Sequence, residues 1–170
     1  MRDLKFKISV IPKSKLFNFQ PKVTDNGFQG RISDANGEIG ILTLQKCHIL
    51  AGSSILGHID FTGAPSKSRI CCQFFTALVS VERKDDSEFT TIQAHTQEMC
   101  YGTDAVAFTL DIPTSANCSF NNQFVEFSWK LKFEFVLTNA YAKHFQGQYW
   151  RAPGKMLVKS VKWEIPIFIH

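Results

Sequence analysis

The sequence lacks the long apolar runs that membrane insertion and export require. No stretch of about 18 consecutive apolar residues occurs, as a membrane-spanning helix would need. The first ten residues carry charges throughout and contain no apolar core of a signal peptide. The five cysteines are odd in number and include no C-x-x-C pair. These absences predict reduced cysteines, no structural disulfide and a cytoplasmic location.

The sequence also lacks the common signatures of catalysis. Its five histidines do not have the H-x₃₋₅-H spacing of zinc sites, and its glycines form neither a P-loop nor a G-x-G-x-x-G fingerprint. His95 and Cys100 could serve as base and nucleophile, but five residues apart on one strand they would point to opposite faces. We therefore expect no metal, no cofactor, no small-molecule substrate and no enzymatic activity.

Strong charge of one sign is absent as well. The net charge is only +4, with no clear basic stripe, so we expect no nucleic-acid partner. The first 22 residues nevertheless contain six basic side chains and one acidic one. This excess predicts a contact with an anionic membrane surface, and a solvated terminal segment is the alternative. The candidate membrane-facing residues are Lys5, Lys7, Lys13 and Lys15.

What the sequence does contain is a long alternation of large apolar and polar residues from Phe124 to Leu137. Such alternation is typical of a strand with one buried and one solvated face. A strand this long needs long neighbours and an opposing sheet to cover its aromatic face, which predicts a β-sandwich. The residues predicted to be buried are Val125, Phe127, Trp129, Leu131, Phe133, Phe135 and Leu137.

Other segments predict about eight strands in all and no amphipathic helix. Residues 70–82 are apolar on both faces, as in a central strand, whereas residues 89–101 are polar and threonine-rich, as in an edge strand. Pro166 cannot donate a ladder hydrogen bond, which places the final strand at an edge there. The dipeptides Asn26-Gly27 and Asn36-Gly37 predict hairpins with type I′ turns.

The polar residues of the long alternating strand form the candidate partner-binding face. Glu126, Lys130, Lys132 and Glu134 are predicted to lie together on its solvated side. One interpretation is a surface that binds a protein partner. The alternative is a solvated sheet face with modest cross-strand ion pairs.

Five segments, in order and spacing, resemble the carboxy-terminal arrestin-like domain of the Reduced growth phenotype protein family. The resemblance covers roughly Gly30 to Phe168, and its most specific part is the pair W-x-L-x-F-E-F and W-x-I-P-I. The segments are Ile32–Gly40, His95–Cys100, Phe108–Pro113, Trp129–Phe135 and Trp163–Ile167.

The resemblance implies an all-β, arrestin-like (immunoglobulin-like) sandwich. Residues 1–12 would be the last strand of an amino-terminal arrestin-like domain that this sequence lacks, 13–27 a linker and 28–170 the carboxy-terminal sandwich. It also implies a non-catalytic scaffold subunit of a Rab guanine-nucleotide exchange factor complex in endosome-to-Golgi retrograde traffic. Its partners would be a large exchange-factor subunit and a Golgi Rab GTPase, with peripheral association at Golgi membranes.

Two other functions stay open at this point. A general arrestin-like adaptor would bind cargo or receptor tails in vesicle traffic, for example by adding a strand to a sheet edge. An enzyme on a sandwich scaffold would need a polar cluster in a pocket, and fold alone does not choose between these classes.

Overall fold

A computed structural model describes residues 22–24, 27–63, 70–139 and 157–170. These residues form eleven strands and no helix, and eight of the strands are seven residues or longer. The strands are β1 (Lys22–Thr24), β2 (Gly27–Asp34), β3 (Gly37–Leu44), β4 (His48–Ile49), β5 (Ser54–Asp60), β6 (Ile70–Lys84), β7 (Ser87–Met99), β8 (Ala105–Asp111), β9 (Phe120–Asn121), β10 (Val125–Thr138) and β11 (Val158–Ile169).

The strands form two sheets that enclose one core. One sheet has five strands in the order β1-β2-β3-β5-β8, and the other has the order β4-β11-β10-β6-β7 with β9 paired to β10. All pairs are antiparallel except β4 with β11. The predicted all-β fold class, a sandwich of about eight main strands, is confirmed.

The register of β10 follows its sequence alternation. Trp129, Leu131 and Phe133 are each at most 2% exposed, and Phe135 and Leu137 are also buried. Aromatic rings of the two sheets pack against each other. The ring centroid of Phe108 on β8 lies 5.7 Å from that of Phe133 on β10 and 5.8 Å from that of Phe74 on β6. This aromatic contact joins the two sheets.

The prediction of burial was wrong at the beginning of β10. Val125 and Phe127 are only half-buried. They lie opposite Lys84 and Glu82 at the end of β6, and both of those residues are exposed. The six-stranded sheet is built from strands of up to 15 residues, whereas the facing strands have no more than eight. Its long strands are therefore not covered along their whole length.

The predicted positions of the central and edge strands are confirmed. β6 lies between β10 and β7, and β7 is the last of the described strands in its sheet. Pro166 pairs with Lys130 on β10, while β4 contacts β11 only at Phe168 and Ile169. Among the described residues, no strand pairs with β11 at Pro166 on the side away from β10. The missing N–H of the proline therefore costs no hydrogen bond on that side, which explains how a proline is tolerated there.

The hairpin predicted at Asn36-Gly37 is present, but its turn is shifted by one residue. Asp34 pairs with Gly37, so Ala35 and Asn36 are the two turn residues. Gly37 has a φ of 115°, and Asn36 is not among the residues with positive φ. The Asn36 backbone N–H donates to Asp34 Oδ1 at 2.8 Å. The type I′ assignment, which needs positive φ at both turn residues, was therefore wrong here.

The amino-terminal predictions fall largely outside the described residues. Residues 1–12, the predicted last strand of another domain, are among the residues not described. Within the predicted linker 13–27, Lys22–Thr24 forms β1 and pairs with β2. Asn26 of the first Asn-Gly pair is also outside the described residues. The domain boundaries stay a prediction.

Trp129 provides a test of the register. We expect Trp129→Ala to lower the free energy of unfolding by about 3–5 kcal/mol, because it leaves a cavity in the core. It also removes the hydrogen bond from Nε1 to the Asn117 carbonyl at 2.9 Å. The control is Lys130→Ala on the opposite face, for which about 1 kcal/mol or less is expected. Equal losses for both variants in urea denaturation would contradict the register.

Gly57 provides a test of the packing between β5 and its neighbours. A Cβ atom there would lie 2.6 Å from Phe108 Cζ and 2.7 Å from Leu44 Cδ2. We expect Gly57→Ala to destabilise the fold by about 1–3 kcal/mol through overpacking. The control is Gly63→Ala, whose Cβ would come no closer than 3.5 Å to Glu38 Oε1. If thermal melts show both variants equally stable, the close packing is wrong.

Candidate functional site

The four residues of the predicted partner-binding face lie together on the outer face of the six-stranded sheet. Because neighbouring residues of β10 point to opposite sides, the burial of Trp129 and Leu131 directs Glu126, Lys130, Lys132 and Glu134 outward. All four are half-buried rather than fully exposed. Each is therefore positioned by side chains of the adjacent strands.

Glu164 on β11 joins the two lysines. Lys130 Nζ lies 2.7 Å from Glu164 Oε1, and Lys132 Nζ lies 4.0 Å from Oε2. Lys132 and Glu164 are direct cross-strand partners in the ladder, whereas Lys130 reaches Glu164 from the position opposite Pro166. One carboxylate thus accepts from one lysine and attracts a second.

Arg83 forms the second ion-pair group, at the beginning of β10. Its Nη1 lies 3.2 Å from Glu126 Oε2, and its Nε lies 2.8 Å from Glu88 Oε2. These pairs connect β10, β6 and β7 across the sheet. The hydrogen bond from Arg83, together with its charge, holds the pKa of Glu88 below its ordinary value, although desolvation acts in the opposite direction.

Glu134 has a different partner. It accepts a hydrogen bond from the Ser160 hydroxyl on β11. All four predicted residues are therefore engaged by side chains of this chain. The geometry shows the ion-paired sheet face that was the alternative interpretation, and binding of a partner through these residues stays a prediction. Cross-strand ion pairs at a protein surface contribute little stability each.

The candidate membrane-facing lysines, Lys5, Lys7, Lys13 and Lys15, lie outside the described residues. Their role stays a prediction. In the part of the chain that is described, no helix has the length and hydropathy needed to cross a membrane.

The cysteines that come together do so in the core. The Cys100 and Cys71 sulfurs are 3.2 Å apart, and all five described cysteines are free thiols. The contact with Cys71 and burial raise the pKa of Cys100, and burial raises that of Cys72 to about 11. A thiol with a raised pKa is a poor nucleophile. Among residues 27–63, 70–139 and 157–170, no three His, Cys, Asp or Glu side chains form a candidate metal site.

Sequence reasoning missed two features of this region. Glu164 and Arg83 are the residues that connect the charged face, but their pairing depends on the register between strands. The exposed apolar residues of β7, Phe89 and Ile92, were also missed. The available signal was the presence of two large apolar side chains in a strand otherwise typical of an exposed edge.

Comparison with known proteins assigns the family. The family model described as Rgp1 matches residues 7–138. The chain belongs to the Rgp1 family. The resemblance to the Reduced growth phenotype protein family is thereby confirmed.

Two curated relatives are similar over most of this Rgp1-family chain. They are the human and bovine proteins named RAB6A-GEF complex partner protein 2, at 23% and 22% identity over 156 residues. Each match covers 80% of this chain and 39% of the relative. The chain thus matches about two fifths of the length of these relatives.

A solved structure is also similar in outline. The sporulation control protein Spo0M of Bacillus subtilis matches with a TM-score of 0.46 and 10% identity, covering 75% of this chain and 47% of that chain. This match is too loose to add to the assignment.

Arg83 allows a test of the ion-paired face. We expect Arg83→Ala to raise the pKa of Glu88 toward its ordinary value, because the hydrogen bond and the charge are both lost. In the wild type the lowered pKa contributes stability above the unfolded-state pKa, and this contribution is lost as the pH falls through the folded-state value. The measurement is an NMR titration of the Glu88 carboxyl. Lys84→Ala, which removes a neighbouring exposed charge, should leave that pKa low.

Proposed function

We propose that this chain is a non-catalytic scaffold subunit of a Rab guanine-nucleotide exchange factor complex. The observation that carries the proposal is membership of the Rgp1 family, with 80% of the chain matching proteins named as partners in a RAB6A-GEF complex. A subunit of this kind would bind a large exchange-factor subunit and assist its action on a Golgi Rab GTPase. We place it in the cytoplasm, peripherally at Golgi membranes, in endosome-to-Golgi retrograde traffic.

The sandwich is well suited to a scaffold. Its core joins two sheets through packed aromatic rings, which holds the outer faces and edges in fixed positions. A preformed surface loses little conformational freedom when a partner binds. The outer face of the six-stranded sheet carries both signs of charge, and such patterns favour specificity and rate of encounter more than affinity.

The physical demands of nucleotide exchange also support an exchange surface that is shared between subunits. Exchange requires a surface that rearranges the switch segments and the phosphate and magnesium site of the GTPase. Stable protein interfaces typically bury above about 1,000 Å² in total. We propose that this chain and the large subunit contribute such a surface together.

We expect this chain alone to leave nucleotide release from a Golgi Rab GTPase at its intrinsic rate. Addition of the large subunit should accelerate release, because the composite surface is then complete. The measurement is loss of a fluorescent nucleotide from the loaded GTPase under three conditions: chain alone, large subunit alone, and both together. A full-length relative with the large subunit serves as the positive control.

Acceleration by the chain alone would contradict the non-catalytic assignment. Tight binding to the large subunit without acceleration would support a role in assembly only. Absence of both binding and acceleration, with an active positive control, would contradict the proposed function for this chain.

A further inference from the structure

Among the described strands of seven residues or more, β7 is the most exposed. Its first seven residues, Ser87 to Gln93, are all exposed, and the side chains of its second half are at most half-buried. It pairs with β6 on one side, and no described strand pairs with its other side. Among the described residues, the backbone donors and acceptors on this side of the 13-residue strand therefore have no strand partner.

β7 carries few of the features that protect an edge. Natural edge strands are commonly shielded by lysine, proline, a bulge or a covering segment. β7 contains no lysine, arginine or proline, and its single irregularity lies opposite Leu78 and Val79. By comparison, the opposite side of the same sheet has Pro166 on β11 and the short β4 paired beyond it.

Hydrogen bonds show which groups face the open edge. Ser80 Oγ donates to the Thr91 carbonyl at 3.4 Å, so the carbonyl of Thr91 points toward β6. In an antiparallel strand the N–H and C=O of one residue point to the same side, and those of its neighbours to the other. The backbone groups of Thr90 and Ile92 therefore point outward.

Apolar side chains flank the same stretch on both faces. Ile92 is 65% exposed and lies opposite Val79, whose neighbour on β10 is Lys130, so Ile92 is on the outer face. Phe89 is 61% exposed and lies in the same cross-strand row as Phe127, on the other face. An added strand with alternating side chains would contact both residues.

Charge distinguishes among possible occupants. The hairpin of residues 82–99 has five acidic side chains and two basic ones, although the whole chain has a net charge of +4. Two copies of the chain could pair antiparallel along the full length of β7, with Gln93 of one opposite Gln93 of the other. Glu88 of each copy would then lie opposite Glu98 of the other. Like charges directly opposite are destabilising. The local charge thus favours a basic segment over a second copy.

We propose that the edge of β7 over Ser87–Gln93 binds an extended basic segment of a partner protein as an added strand. The segment would alternate apolar residues, which contact Phe89 and Ile92, with lysine or arginine near the acidic side chains of the hairpin. This proposal rests on the proposed function, because it takes the partner to be the large subunit of the exchange factor.

The first experiment isolates the backbone contact. Thr90→Pro removes an outward N–H that takes no part in the β6–β7 ladder, whereas Thr90→Ala keeps it. We expect Thr90→Pro to weaken binding to the purified large subunit about tenfold or more, and Thr90→Ala to leave it within about twofold. Affinity is measured by biolayer interferometry, and circular dichroism melts establish that each variant is folded.

The second experiment isolates the side chain. Ile92→Lys replaces an apolar contact by a charge that repels a basic segment, and we expect a similar loss of affinity. Leu50→Lys is the matched control, because Leu50 is 67% exposed and follows β4, at the opposite end of the same sheet from β7. Amide hydrogen exchange of Thr90 and Ile92 should be fast in the chain alone and slow in the complex.

The outcomes separate this inference from the proposed function. If the wild-type chain does not bind the large subunit, both fail. If it binds and the β7 variants bind equally well, the proposed function stands and the edge inference is overturned. Slow exchange of the Thr90 and Ile92 amides in the chain alone would also overturn it, by showing that another segment of this chain or a second copy already pairs there.

Discussion

The structure depends on the two-residue alternation of β10 and on the aromatic face that it presents. Phe133 packs edge-on against Phe108 of the facing sheet, and its ring is stacked with that of Phe135 on the same strand. This contact determines the side of β10 that is buried, and through the ladder it determines the buried side of β6 and β11 as well. A slip of β10 by one residue would move its aromatic residues to the outer face and its charged residues into the core.

The charged outer face is a consequence of the same constraint. With the aromatic residues inside, the lysines and glutamates of β10 are left on the outside, where Glu164 and Arg83 pair with them. Because these pairs are formed within the chain, any partner that binds the face must compete with them or bind around them. The edge of β7 has no such internal competitor among the described residues, which is why it is the more accessible surface for association.

Much of the fold could be predicted from local pattern, and little of the site could. The period of β10, the two apolar faces of β6 and the proline at position 166 each report the environment of their own strand, so their positions were predicted correctly. The contact between Lys130 and Glu164 depends on how two distant strands are aligned, which local pattern does not encode. The partial exposure of Phe127 depends on the length of the strands in the facing sheet. The shift of the turn at Asn36 depends on the positive φ of Gly37.

The pairing of β6 with β10 has a consequence for synthesis of the protein. β6 ends at Lys84 and its central partner begins at Val125, so the ribosome produces the whole of β7 and β8 before that partner appears. At about 5–20 residues per second, the apolar inner side of β6 stays without this neighbour for a time on the order of seconds. During that interval β6 can form its hairpin with β7, but its apolar inner side and the edge that later pairs with β10 are exposed. Exposed apolar surface and unpaired strand edges favour aggregation, so the nascent chain is most prone to aggregate before β10 has left the ribosome.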